Sequence, residues 1–248
     1  VITVCAVIPV YNHGDTVAAV VEGVRSHGLA CLLVDDGSDA ACAAELERIA
    51  GSGAARLLRL EHNGGKGHAV KAGLQAAFAA GYSHALQVDA DGQHALDDIP
   101  AFTADAAANP HAVICGRPVY GPEAPRARLY GRWLTHVWVW INTLSFAIPD
   151  AMCGFRIYPL HSVVPLVASQ RTGERMDFDI AILVRLHWAG VPMVWRATGV
   201  VYHPGGVSHF HGMRDNALIS LMHARLFAGM LARGPALLAR KLRTRSGR

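Results

Sequence analysis

The 248-residue sequence has few charges, no apolar run long enough to cross a bilayer, no CxxC pair and no internal repeat. Each absence narrows the reading. The longest greasy stretch, Trp133 to Ile148, is broken by His136, Asn142 and Thr143. It falls short of the roughly 18–20 residues of a membrane span, so no transmembrane helix is expected. The chain opens on a strand-like segment without a basic leader, and no signal peptide is expected. The five cysteines (Cys5, Cys31, Cys42, Cys115 and Cys153) are odd in number, and three lie in apolar runs. They read as small core residues in a reducing compartment. A net charge of +4 makes no case for nucleic acid. Acids are missing altogether after Asp215, whereas Arg225, Arg233, Arg240, Lys241, Arg243, Arg245 and Arg248 all follow it.

What is present is a core. Apolar residues make up 52% and charged residues 17%, a globular composition. Thr3 to Val10 is nearly all apolar, as strands covered on both faces are. Tyr11-Asn12-His13-Gly14 turns the chain, and Asp15 is the expected cap of a helix that carries Val17, Val20, Val21 and Val24 and stops at Gly28. Ala30 to Val34 is a second buried strand ending in Asp35-Asp36-Gly37-Ser38, with Ser38 expected to cap the next helix. A third strand covers Ala55 to Leu60. His62-Asn63-Gly64-Gly65-Lys66-Gly67 then opens a helix that ends at Gly81. His84 to Val88 is the fourth strand and Ala112 to Cys115 the fifth, with a helix between them capped by Asp97 or Asp98. Alternating strands and helices predict an α/β fold, a mostly parallel twisted sheet flanked by helices. Ligands in such sheets sit beyond the carboxyl ends of the strands. The polar clusters at Pro9-Tyr11-Asn12, Asp35-Asp36, Asp89-Asp91 and Arg117 all fall there.

The stretch Leu86-Gln87-Val88-Asp89-Ala90-Asp91-Gly92-Gln93-His94 carries the most chemistry. Two carboxylates one residue apart repel unless a cation sits between them. A hard divalent ion fits, because Mg²⁺ and Mn²⁺ take oxygen ligands and bridge to phosphate. The competing reading is a solvated turn. Gly64-Gly65-Lys66-Gly67 before a helix suits either a phosphate cradle of backbone N–H groups or a tight turn.

The second half is less regular. Arg126 to Ile148 reads as Trp-rich amphipathic helix, Pro149 to Leu160 as a loop, and Met176-Asp177-Phe178-Asp179 as the approach to a helix closed by Gly190. Short strands are expected at Val191–Trp195 and Val200–Tyr202. Asp177 and Asp179 are either base candidates for a hydroxyl acceptor or caps of the helix that follows. Trp133, Trp138 and Trp140 suit acceptor lipid or core. His203, His209 and His211 lack a cysteine or acid at metal spacing, which disfavours zinc. Leu218, Leu221, Met222, Arg225, Leu226, Met230 and Leu231 share one face of the last helix. With its basic tail, that helix fits either the interface of an anionic membrane or packing on the domain.

Together, Val7-Ile8-Pro9-Val10-Tyr11-Asn12, Val34-Asp35-Asp36-Gly37-Ser38-Asp39, Asn63-Gly64-Gly65-Lys66-Gly67 and Asp89-Ala90-Asp91-Gly92-Gln93-His94 resemble family 2 glycosyltransferases of the GT-A fold. Their order and spacing resemble the dolichyl- and polyprenyl-phosphate sugar transferase branch, and Asp150-Ala151-Met152-Cys153-Gly154-Phe155-Arg156 looks like that branch's Asp-x-x-x-Gly-Phe-Arg segment. The likeness covers residues 3 to about 211. It implies that Asp89 and Asp91 bind Mg²⁺ or Mn²⁺ together with the diphosphate of a UDP- or GDP-linked sugar. The expected donor-side residues are Pro9, Tyr11, Asp35, Asp36, Lys66, Asp89, Gln93, Arg117 and Arg156. The branch's late Ser-Lys pair stands here as Ser208-His209, which makes His209 a candidate beside the diphosphate.

The expected organisation is one domain over residues 1–211, with a nucleotide-sugar half to about 117 and an acceptor half from 118, followed by a basic tail over 212–248. The expected activity is a metal-dependent, inverting transfer of sugar to a lipid-linked acceptor, either a polyprenyl phosphate or a lipid hydroxyl. The enzyme would be cytoplasmic and peripheral on the inner membrane face. The alternatives are a polysaccharide-building transferase and a non-catalytic nucleotide-sugar-binding module.

Overall fold

A computed structural model describes residues 1–120, 126–200 and 212–246. The elements run β1 (Val4–Val10), α1 (Gly14–Ser26), β2 (Ala30–Asp35), α2 (Ala40–Gly51), β3 (Arg56–Arg59), α3 (Lys66–Ala79), β4 (His84–Gln87), α4 (Ile99–Ala108), β5 (Val113–Val119) and α5 (Arg126–Thr143). Then follow β6 (Arg156–Pro159), α6 (Leu160–Ser169), α7 (Phe178–Ala189), β7 (Met193–Gly199) and α8 (Gly212–Ser246). The seven strands form one sheet in the order β3-β2-β1-β4-β6-β5-β7.

Side chains alternate across this sheet, so each inner strand feeds two cores. On one face Val7, Val34 and Cys115 pack with Leu74 of α3, Leu166 of α6 and Leu183 of α7. On the other, Ile8, Leu33 and Ile114 meet Val20 of α1, Leu46 of α2 and Phe102 of α4. Both faces are covered, which is why the strands read as unbroken apolar runs. All five cysteines are buried thiols. Burial pushes Cys5, Cys31 and Cys115 up to about 12 and Cys153 to about 11, as fits inert packing residues.

The mostly parallel sheet was legible in advance, but one strand in it was not. Arg156–Pro159, expected within a loop, is β6. It runs antiparallel between β4 and β5, so the second half of the chain inserts into the sheet of the first. Four residues that begin with Arg and end with Pro carry no period that marks a strand. The helix starts also differ from expectation. Asp39, not Ser38, caps α2 by accepting from the Cys42 N–H at 2.9 Å. Ser38 Oγ instead accepts from the Asn12 N–H. Asp15 lies in the first turn of α1 without capping it, and a 3₁₀ turn at Leu96–Asp98 leads into α4. Of the strand expected at Val200–Tyr202, Val200 forms a bridge with His94, and residues 201 and 202 lie outside the described residues.

The last helix packs on the body through Met222, Leu226, Met230 and Leu237. Each such side chain contributes about 1.5–3 kcal/mol when fully buried. The expected single apolar face is therefore divided, because Leu221 and Leu231 stay exposed beside Phe227, Leu238 and Leu242.

Candidate active site

The parallel strands β1, β2 and β4 end on one edge, and their polar ends meet there. Pro9 is half-buried near the end of β1, and Tyr11 follows the strand. Asp35 closes β2, with Asp36 next to it, and Asp89, Asp91 and Gln93 lie beyond β4. Lys66 reaches into the same place from the first turn of α3.

Lys66 is the electrostatic centre. Its Nζ lies 2.8 Å from both carboxylate oxygens of Asp89 and 2.9 Å from Asp179 Oδ2. Burial disfavours an ammonium, but the two carboxylates outweigh it and raise the Lys66 pKa, so the charge is permanent. Burial likewise works against an ionised Asp89. Lys66 and His94 reverse it and hold this carboxyl well below the usual range. His94 Nε2 stands 3.4 Å from Asp89 Oδ2, and its ring stacks on Phe155 at 5.1 Å. Gly154 lies directly over the Lys66–Asp89 pair. A Cβ there would come within 2.9 Å of Lys66 Nζ and 3.0 Å of Asp89 Oδ2, so a larger side chain would have to displace the pair.

Beneath this pair is a buried polar network. Asp179 Oδ1 accepts from Gln87 Nε2 at 3.1 Å, and Gln87 Oε1 accepts from the Tyr158 hydroxyl at 3.2 Å. Arg156 Nη1 donates to Tyr158 Oη and to the Asp179 carbonyl, and Nη2 donates to the Ala151 carbonyl. Arg156 is wholly buried, with 0% exposure, so the expectation that it binds donor is corrected. It braces β6 against α7 from inside the core.

Asp36 needs the same correction. Its two oxygens accept from the Gly64 and Gly65 N–H groups at 2.9 and 2.8 Å. Of the two readings of the glycine loop, these amides favour the turn: they face a carboxylate of the chain, and Asp36 fixes the entry to α3. Asp35 is buried and accepts from the Ser38 N–H and Arg59 Nε. Arg117 lies within β5, in register with Ala197, and its side chain is exposed.

The two base candidates separate clearly. Asp179, in the first turn of α7, is held by Lys66, Gln87 and Arg156. Asp177 precedes the helix without capping it and accepts from the Arg175 N–H at 3.1 Å. Burial raises its pKa, and unlike Asp179 its carboxylate is paired with no cation in the described residues. His209 falls outside the described residues, as do His203 and His211.

Among the described residues no cluster of three or more His, Cys, Asp or Glu is placed to hold a metal. The donor set nevertheless fits the way Mg²⁺ usually binds, through one or two carboxylates plus substrate phosphates and water. Asp91 has one oxygen engaged by the Gln93 N–H at 3.0 Å. Asp91 would hold such an ion, with Asp89 beside it facing Lys66.

The family model described as glycosyl transferase family 2 matches residues 5–161. The chain belongs to that family. Glycosyltransferase AglJ of Haloferax volcanii is 24% identical over 226 residues, covering 88% of this chain and 70% of its own length. An uncharacterized protein of Methanocaldococcus jannaschii is 24% identical over 212 residues, covering 82% of this chain and 90% of its own. Among solved structures, glucosyl-3-phosphoglycerate synthase from Mycobacterium tuberculosis, in complex with phosphoglyceric acid, superposes with a TM-score of 0.64 at 16% identity, over 93% of this chain and 79% of that one. Residues 1–349 of S. aureus TarS in complex with UDP-GlcNAc give 0.60 at 14% identity, over 94% and 72%. The fold of this family 2 chain is thus GT-A, and the protein is a glycosyltransferase.

Sequence reasoning missed several residues that shape the glycosyltransferase site. Gln87 was the visible signal: an amide inside an apolar strand requires a buried partner. Tyr158 and His94 carried weaker signals, since tertiary placement alone gives them their partners.

Proposed function

We propose that this family 2 glycosyltransferase moves a sugar from a UDP- or GDP-linked donor to a lipid-linked acceptor, with inversion and with Mg²⁺ or Mn²⁺ bound at Asp91. The acceptor is a polyprenyl phosphate or a lipid hydroxyl, and the reaction takes place at the cytoplasmic membrane face. The observation that carries this reading is the edge where Asp89, Asp91 and Lys66 stand together beyond β4. An acceptor oxygen bonds to the anomeric carbon, the bond from that carbon to the diphosphate breaks, and the electron pair leaves with the nucleoside diphosphate. A bound metal supplies Lewis-acid stabilisation of that leaving group. Lys66 adds a fixed positive charge beside it that needs no reorganisation. Pro9, Tyr11, Asp35 and Gln93 line the donor side, and Arg117 lies on the rim. If the acceptor is a hydroxyl, Asp177 takes its proton.

Exposed apolar side chains support the membrane reading. Tyr130, Trp133 and Leu134 on α5 are 73%, 60% and 57% exposed, and α8, packed against α5, exposes Leu231 at 61%. Phe146, just past α5, is 78% exposed. Exposed aromatic and aliphatic side chains suit a bilayer interface. No helix of the described residues is long and apolar enough to cross a membrane.

Asp91→Ala tests the donor site. Mn²⁺-dependent binding of donor is expected to be lost while the thermal midpoint holds; unchanged binding would remove the metal from the proposal. Pelleting with anionic vesicles tests the membrane face. Trp133→Ser together with Leu231→Ser is expected to leave the protein in the supernatant, whereas wild-type pelleting of that variant would overturn the assignment.

A further inference from the structure

Beside the donor edge, between the segment that leads into α7 and the first half of α8, lies a cleft of about 380 Å³. That volume is within the range of small-ligand pockets. Five arginines line it: Arg171 and Arg175 from the segment before α7, Arg185 from α7, and Arg214 and Arg225 from α8. Leu218, Met222 and Leu226 of α8 add an apolar strip.

The arginines have not been neutralised. Among the described residues no carboxylate lies within ion-pairing distance of any of them. Two acids share the lining: Glu174 pairs with Lys71 at 2.5 Å, and Asp177 accepts from the Arg175 backbone N–H. Arg175 and Arg185 reach only neutral amides, Asn63 Oδ1 at 3.3 Å and Gln170 Oε1 at 2.9 Å. Arg185 Nε is buried and has no hydrogen-bond partner among the described residues. Its guanidinium sits 5.9 Å from the Trp188 ring, and Arg233 approaches the same ring at 4.9 Å. Burial and Arg233 both lower the Arg185 pKa, so even its charge is held at a cost.

Five like charges around one void raise the energy of the empty chain, and a polyanion relieves it. Guanidinium forks fit phosphate oxygens in pairs. The strip of Leu218, Met222 and Leu226 beside them offers nothing to a hydrated free anion and a surface to an alkyl chain. We infer that this cleft binds the headgroup of a phosphate monoester carried on an apolar chain, with the phosphate among the arginines and the first carbons against Leu218, Met222 and Leu226. The inference rests on the lipid-linked acceptor proposed above and gives that acceptor its place and its anionic head. The position suits it. Arg175 bonds to Asn63 in the turn that leads to Lys66, and Phe178 packs on Gly67 in the first turn of α3, so the cleft adjoins the site of transfer.

The test is direct binding by isothermal titration with the full chain, using farnesyl phosphate, farnesol and inorganic phosphate as probes. Arg171, Arg214 and Arg225 are exposed, so replacing them removes no core contact. The wild type is expected to bind farnesyl phosphate at least about tenfold more tightly than either other probe, and Arg171→Gln with Arg225→Gln to lose about tenfold or more of that affinity. Arg214→Gln alone, with its fold checked by circular dichroism, is a second arm and is expected to lose a smaller factor. UDP and GDP binding with Mn²⁺, measured on the same samples, should not change. Equal affinity in the double variant overturns the cleft. Equal binding of inorganic phosphate reduces it to a free-anion site, and equal binding of farnesol to an apolar groove; either rejects the inference. Failure of the wild type to bind any nucleotide would count against the donor reading instead, and is seen separately from the lipid titration.

Discussion

At the strand ends the buried carboxylates are matched; in the cleft beside α8 the arginines are not. Asp35 has Arg59 and a backbone N–H, Asp36 has two glycine N–H groups, and Asp89 and Asp179 share Lys66. None of Arg171, Arg175, Arg185, Arg214 and Arg225 has a carboxylate among the described residues. A matched buried charge holds the fold in one arrangement, because removing either partner strands the other. An unmatched cluster is tolerable only near solvent or a ligand, and it leaves its interaction energy available for binding. One fold thus contains a preorganised polar floor at the strand ends and, next to it, an arginine cluster that is incomplete by itself.

The contrast is broken most forcefully at Lys66. Lys66→Ala leaves Asp89 and Asp179 facing each other without their shared cation. The expected loss is about 3–5 kcal/mol, read from urea unfolding, since one partner of a buried pair is gone. Arg171→Gln, an exposed position, should change stability by no more than about 0.5 kcal/mol. If the two variants melt alike, the matched and unmatched regions do not differ in the way argued.

How much of this was readable beforehand follows the same divide. The donor edge was legible because strand ends and carboxylates are local signals: Val34-Asp35-Asp36-Gly37 and Val88-Asp89-Ala90-Asp91-Gly92 show both the strand and what it delivers. What each acid does there was not legible. Asp36 and Asp89 look alike in sequence, yet one bonds to backbone amides of the α3 turn and the other to the Lys66 ammonium, and only tertiary packing decides it. Arg156 stood out within its motif, but its role as a buried brace depends on β6 running antiparallel into the sheet, which four residues ending in proline do not announce. The arginine cleft was invisible, because its five members come from a loop and two helices scattered over residues 171–225.

Asp177→Asn sharpens the border between the two regions, since Asp177 lines the cleft and stands nearest in sequence to the carboxylate that pairs with Lys66. A phosphate acceptor arrives ionised and needs no base. With such an acceptor, kcat should stay within about tenfold of wild type, or about 1.4 kcal/mol. A fall of about 10²–10⁴ would mark Asp177 as a general base for a hydroxyl. That outcome would favour the lipid hydroxyl and count against a phosphate in the cleft. Single-turnover rates at saturating donor distinguish the two.

The smallest expected effect concerns how α8, which supplies part of the arginine cluster, is fastened. His223 is buried between α8 and α5, its ring 6.0 Å from Trp138 and its Nδ1 3.2 Å from Asn142 Nδ2. Burial pushes its pKa down to about 4, and that of His187 to about 4 as well. In the unfolded chain both titrate near 6.5. Between about pH 6.5 and 4 the unfolded state therefore binds protons that the folded state refuses, and stability must fall on acidification. His223→Gln keeps an acceptor for Asn142 and removes one titrating group. The slope of stability against pH in that window is expected to shrink, with His187 and His84, whose pKa burial also lowers, supplying the remainder. An unchanged slope would mean that α8 is not held through a neutral histidine, and that the arginines it carries are not fixed by this contact.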